Sequence, residues 1–91
     1  MPYIEKVRRN KLIAALDGVA LEMAGSPGEL NFLITKIIVY WLECYGRNTY
    51  IGINTVIGVL ECAKQELYRR VAAPYEDLKK EENGDVYDER Q

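Results

Sequence analysis

The segment from Leu30 to Leu42 limits what this chain can become more than any other. It reads LNFLITKIIVYWL. Drawn as a helix, Leu30, Phe32, Leu33, Ile34, Ile37, Ile38, Val39, Tyr40, Trp41 and Leu42 cover most of the circumference. A helix apolar nearly all round has to be buried on nearly all sides. The chain has only 91 residues, a length that buries roughly 60–65 % of its unfolded surface. Two neighbouring helices from so short a chain cannot wrap a third completely. A second subunit is therefore expected, burying the Trp41 side or the Phe32 side between copies.

The rest of the sequence supplies helices to go with it. Hydrophobic residues are 48 % and charged residues 29 %, a globular balance and not a disordered one. Met1 to Ile4 reads as extended, because Pro2 has no N–H for a helix interior. A first helix is predicted from about Glu5 to Met23. Leu12, Leu16, Val19 and Met23 recur at helical spacing, with Ile13 and Ala20 widening the stripe. Arg8, Arg9, Lys11, Asp17 and Glu22 are left for solvent or a partner. Ser26-Pro27-Gly28-Glu29 opens the second helix as a capping box, with Ser at N-cap, Pro at N1 and Glu at N3. That helix is predicted to reach about Cys44, with Gly46 as the residue after its cap.

Arg47 to Gly52 then reads as a loop. A third helix is predicted from Ile53 or Asn54 to Ala73, with Ile53, Val56, Ile57, Leu60, Leu67 and Val71 as its apolar stripe. Pro74 either kinks that helix or starts a new one, because its ring clashes with the carbonyl four residues back. Tyr75 to Glu82 continues as helix, Asn83-Gly84 forms a left-handed cap, and Asp85 to Tyr87 is expected as an extended strip folded back on the body. Asp88 to Gln91 is expected to fray. The expected architecture is all-α: one domain over residues 1–91, a three-helix bundle with a proline-kinked C-terminal extension, assembled as a homo-oligomer.

Charge narrows the partners. Residues 75–91 carry seven acids and three bases, so the C-terminal segment is acidic, while residues 1–74 are mildly basic. That footprint is too weak for a general nucleic-acid binder, so no nucleic-acid partner is expected. It still permits a few arginines aimed at one phosphorylated small molecule. The N-terminus MPYIEKVRRN has no apolar signal core. The longest apolar run, Ile37 to Leu42, is too short to span a bilayer. With two cysteines, Cys44 and Cys62, a cytoplasmic protein with reduced thiols and no membrane partner is expected.

Several chemistries are excluded by residue type. The chain has no histidine, which removes Ser-His-Asp and Cys-His catalysis and histidine metal ligands. Two cysteines without histidine make no zinc site. No Walker loop, GxGxxG or GxSxG occurs. Aligning Gly84 with the glycine of a calcium loop puts Lys79 and Arg90 where ligands belong. No cofactor or metal is expected, and catalysis is not. Glu81, Glu82 and Asp85 could hold a magnesium ion, or form a solvated acidic end.

The positive signal is Tyr68-Arg69-Arg70, followed by Tyr75 and Lys79. Arginine forks bind phosphate in a bidentate way, and tyrosine rings offer stacking faces to a base. A kink at Pro74 would bring the two groups to one concave place. The alternative is that the arginines pair with Glu66, Glu76 or Asp77, or that the tyrosines seal a subunit interface. Asn31 and Thr35, one turn apart on the apolar second helix, are further ligand candidates; alternatively they bond to backbone or to each other.

The pieces MPYI, GELNFLIT, IGVLECAKQELYRR and APYEDLKKEENGDVY resemble a small family of uncharacterised bacterial and phage proteins, over most of the chain. The resemblance implies a place in the cytoplasm of a bacterial host and transfers no activity. Similarity of kind extends to small oligomeric phage proteins that sequester the nucleotide signals of host immunity. It implies non-enzymatic binding and sequestration of a phosphorylated nucleotide by Tyr68, Arg69, Arg70 and Tyr75 at a subunit boundary. Two other readings stand beside it: a protein-interaction adaptor or structural oligomer, and a metal-dependent nucleotide hydrolase using Glu81, Glu82 and Asp85.

Overall fold

A computed structural model describes residues 4–88. The expectations for Met1 to Tyr3 and for Glu89 to Gln91 lie outside the described residues. Those residues are all helix and turn, with no strand among them. Among the described residues three continuous helical stretches precede a short 3-10 turn, and the chain divides into two units, Met1–Ile53 and Asn54–Gln91.

The first unit opens with α1, Lys6–Glu22, close to its predicted bounds. Met23 leaves the helix in extended conformation. The capping box at the start of α2, Pro27–Trp41, forms as its sequence requires. Ser26 Oγ accepts the Glu29 N–H at 3.2 Å, and Pro27 sits in the first turn. The Glu29 carboxylate reaches back further than the standard box. It accepts the N–H groups of Ala24 and, at 3.3 Å, Gly25. Gly25 takes φ +93°, open to glycine at no steric cost.

The end of α2 differs from expectation. The helix widens into a π turn, Leu42–Gly46, so Gly46 is inside it and not beyond it. Arg47 and Asn48 follow in the left-handed region, with φ 51° and 54°. Both give their N–H to the Leu42 carbonyl, Asn48 at 3.3 Å. α3 then begins at Tyr50 and runs to Leu67, several residues earlier than predicted. The reason is Thr49. Its Oγ accepts the Gly52 N–H at 3.1 Å and donates to the Gly46 carbonyl at 2.9 Å. One hydroxyl thus caps α3 and ties it to the end of α2. Two glycines allow the approach: a Cβ on Gly52 would lie 2.7 Å from the Gly46 oxygen. Gly46 and Gly52 are the buried residues of the described chain.

In the second unit, α3 opens into another π turn, Tyr68–Ala72, ahead of α4, Ala73–Asn83. The Ala73 N–H donates to the Tyr68 carbonyl, five residues back. Pro74 lies in the first turn of α4. Neither a fresh start nor a full stop is found: the backbone stays right-handed helical through Ala72 and Ala73, and the wide turn carries the helix past Pro74. Gly84, at φ +87°, caps α4 through its N–H to the Lys80 carbonyl at 2.8 Å. The expected extended strip at Asp85 to Tyr87 is instead a short 3-10 turn, Val86–Asp88. Asp85 Oδ1 accepts the Tyr87 N–H at 2.9 Å and closes the chain into that turn. Val86 and Tyr87 are 73 % and 91 % exposed, so neither docks on a helix.

The expected buried bundle core is not present within this one chain: among the described residues no hydrophobic side chain is buried. Phe32 is 61 % exposed and Ile37 58 %, on the helix predicted to be covered all round. A groove of about 570 Å³ opens between α1 and the start of α2, lined by Ala15, Gly18, Val19, Met23, Phe32 and Leu33 together with Glu22 and Glu29.

Candidate functional site

The predicted ligand residues fall into both units. Asn31 and Thr35 lie on α2 in the first, and both are exposed. Tyr68, Arg69, Arg70, Tyr75 and Lys79 lie in the second, on the π turn and α4. The two groups thus belong to different units.

In the second unit the π turn sets the geometry. Arg69 Nη2 and Arg70 Nη1 both reach back to the same oxygen of Glu66, at 3.7 and 3.8 Å. The i,i+4 pairing of Glu66 with Arg70 was legible from spacing alone. At those distances the contacts are ion pairs and not bidentate hydrogen bonds. The Arg69 and Arg70 side chains stay 72 % and 66 % exposed. Two positive charges facing one carboxylate leave an excess of one, on donors that water can reach. Glu76 was one of the acids expected to pair with these arginines. It accepts instead from the Tyr68 hydroxyl at 2.8 Å. That hydrogen bond, together with the negative charge of Glu76, holds the Tyr68 phenol above its ordinary pKa, because ionising it would set two anions side by side.

Tyr75 has a different neighbour. Lys79 Nζ stands 5.6 Å from the centre of its ring, one helical turn on, and is also 3.2 Å from Glu82. The face of Tyr75 thus already has a cation near it. An open groove of about 490 Å³ follows, lined by Lys79, Lys80, Asn83, Asp85, Val86 and Tyr87 among others. Sequence reasoning missed Tyr87 as part of this groove. The signal was present in Asp85, whose side chain favours a turn two residues on. Glu81, Glu82 and Asp85 do not assemble: among the described residues no three Asp, Glu, Cys or His side chains stand together as a metal site. No helix among those residues is long and apolar enough to cross a membrane. Both cysteines are free and exposed.

These features define a small all-helical protein with uncovered apolar faces and an exposed Tyr-Arg-Arg turn. The chain belongs to the family described as Domain of unknown function (DUF6899), whose profile matches residues 1–86. No curated protein and no solved structure matches it.

Proposed function

We propose that this protein is a non-catalytic binding subunit that works as an assembly of identical copies in the cytoplasm. One observation carries the reading: a chain that is 48 % hydrophobic leaves every hydrophobic side chain of its described residues at least partly in water. Helices of α1 and α2 length are marginal in isolation, and their stability comes from packing an apolar face. Ordering the chain costs about 1–2 kcal/mol per residue in backbone entropy, which apolar burial must offset. A second copy supplies that burial on both chains at once. The free thiols suit a reducing compartment. The experiment is light scattering at micromolar concentration, with a mass above one chain expected. A clean 10.4 kDa species would reject the reading.

A specific observation favours a ligand for this assembly. Arg69 and Arg70 share one carboxylate and keep exposed donors, the arrangement a phosphate group needs. We infer a phosphorylated nucleotide, bound and sequestered without conversion, with Arg69 and Arg70 on phosphate, Tyr68 or Tyr75 against the base and Lys79 adding charge. Calorimetric titration of cyclic and linear nucleotides into wild type, Arg69→Ala, Arg70→Ala and Tyr75→Ala tests it. Losing one arginine should weaken binding roughly ten- to a hundred-fold. Equal binding by all three variants would move the site elsewhere, with Asn31 and Thr35 next. No binding to wild type leaves the protein-interaction adaptor as the reading.

A further inference from the structure

We infer that Glu66 sets the charge of the ligand that the arginine pair accepts. It tunes the site to a singly charged phosphodiester, as in a cyclic nucleotide, and against the doubly charged terminal phosphate of an ordinary mononucleotide. The inference rests on the phosphorylated-nucleotide reading above and narrows its ligand class.

Glu66 stands near the end of α3, and Arg69 and Arg70 stand in the π turn that follows. A single oxygen of Glu66 is 3.7 Å from Arg69 Nη2 and 3.8 Å from Arg70 Nη1. One atom thus already lies between the two guanidinium groups, and a phosphate drawn to that place meets both. It meets the carboxylate as well. Both distances exceed hydrogen-bonding range, so each guanidinium keeps donors for an incoming group. The Glu66 side chain is only 28 % exposed, so it sits beneath the arginines while they reach outward.

Charge then does the selecting. The two arginines and the carboxylate leave an excess of one positive charge. A phosphodiester carries one negative charge and matches it. A phosphate monoester carries about −1.5 to −2 at pH 7, and its surplus faces Glu66. The attraction to the site grows in proportion to the ligand's charge. The cost of stripping water from that ligand grows with the square of its charge. Each negative charge placed beside the arginines therefore moves the best-matched ligand toward lower charge. Glu66 is a repulsive element of this kind: every phosphate loses affinity, and the more highly charged one loses more. Glu76 works in the same sense, since it accepts from the hydroxyl of Tyr68, the residue before Arg69. A nucleic-acid strand also offers diesters, but residues 75–91 carry seven acids and three bases, and a polymer of many phosphates needs a basic surface.

Calorimetric titration at low salt, where exposed charges are least screened, tests this. The probes are cAMP and cGMP against AMP and GMP, on wild type, Glu66→Gln and Glu66→Ala. Gln keeps the side chain's length and helix propensity and removes its charge. Wild type should bind a cyclic form more tightly than the matching monophosphate. Glu66→Gln should raise affinity for the cyclic form roughly three-fold and for the monophosphate roughly six- to ten-fold, because the lifted repulsion scales with ligand charge. Glu66→Ala should shift the ratio in the same direction, so a folding defect in one variant does not decide the result. If Arg69→Ala weakens binding but neither Glu66 variant moves the ratio, the phosphate reading stands and the role of Glu66 falls. Weaker binding of both forms by Glu66→Gln would make Glu66 a positioning residue and also overturn the inference. So would tighter binding of a short single-stranded oligonucleotide than of either cyclic form. No binding of any of these nucleotides by wild type overturns it too, and leaves the nucleotide reading to the broader panel above.

Discussion

Gly52→Ala tests the tightest corner in the protein. A Cβ added there would meet the Gly46 oxygen at 2.7 Å, its Cα at 2.8 Å and its carbonyl carbon at 3.1 Å. Carbon contacts are comfortable at about 3.5–4.0 Å, so the α2 end and the start of α3 must separate. All three neighbours are backbone, and no rotamer change relieves them. Overpacking of this kind costs about 1–3 kcal/mol. Alanine returns up to ~1 kcal/mol of helix propensity at an interior position, and less in a first turn. The net expectation is a loss of about 1–2 kcal/mol. With an m-value near ~1 kcal/mol/M for a chain this small, the urea midpoint should fall by roughly 1–2 M. The assay is circular dichroism at 222 nm in urea, at one fixed chain concentration, since association shifts apparent stability. Gly46→Ala should cost less: two of its near neighbours are the Trp41 ring at 2.8 Å and Leu42 Cδ2 at 3.1 Å, side-chain atoms that can shift. Gly18→Ala is the control, because nothing lies within 4 Å of its added Cβ; it should stabilise by about 0.5–1 kcal/mol. A Gly52→Ala midpoint at or above wild type, with Gly18→Ala raised as expected, would refute the close-approach argument.

Other outcomes follow from the same contacts. Thr49→Ala removes the hydroxyl that caps α3 and holds the Gly46 carbonyl, and should cost about 1 kcal/mol in the same melts, whereas Thr49→Ser should retain most of it. Tyr68→Phe should delete a tyrosine that ionises above the ordinary tyrosine value in an absorbance titration. The sign follows from the raised pKa: the Tyr68–Glu76 contribution is full below the ordinary tyrosine value near 10 and is lost as pH rises through the raised folded value. A Tyr68→Phe titration that loses its tyrosine at or below the ordinary value would place the hydroxyl away from Glu76.

What could be read from sequence was what neighbours in the chain decide. Ser26-Pro27-Gly28-Glu29 forms its cap because the partners are three residues apart. The Glu66–Arg70 pair is one helical turn. Pro74 announces an irregular turn because its chemistry removes a donor. The corner between α2 and α3 was illegible for the opposite reason. It depends on Gly46 and Gly52 meeting across a turn, and on left-handed Arg47 and Asn48, positions where glycine would be the ordinary expectation. Thr49 did carry a signal, a good capping residue ahead of an apolar run, but the glycine after it read more strongly as loop. In the candidate site, Tyr68 and Glu76 are eight residues apart, about two turns of regular helix. No pairing rule reaches that far, and the intervening π turn changes the angle between them.

The most direct measurement of the central claim is the mass of the folded chain in solution, by sedimentation equilibrium at micromolar concentration, with circular dichroism on the same sample. The expected result is a helical protein of at least twice 10.4 kDa, whose helical signal is lost on dilution together with its association. A stable 10.4 kDa species that keeps its full helical signal on dilution would contradict it, because helices without a covered apolar face would then be standing on their own.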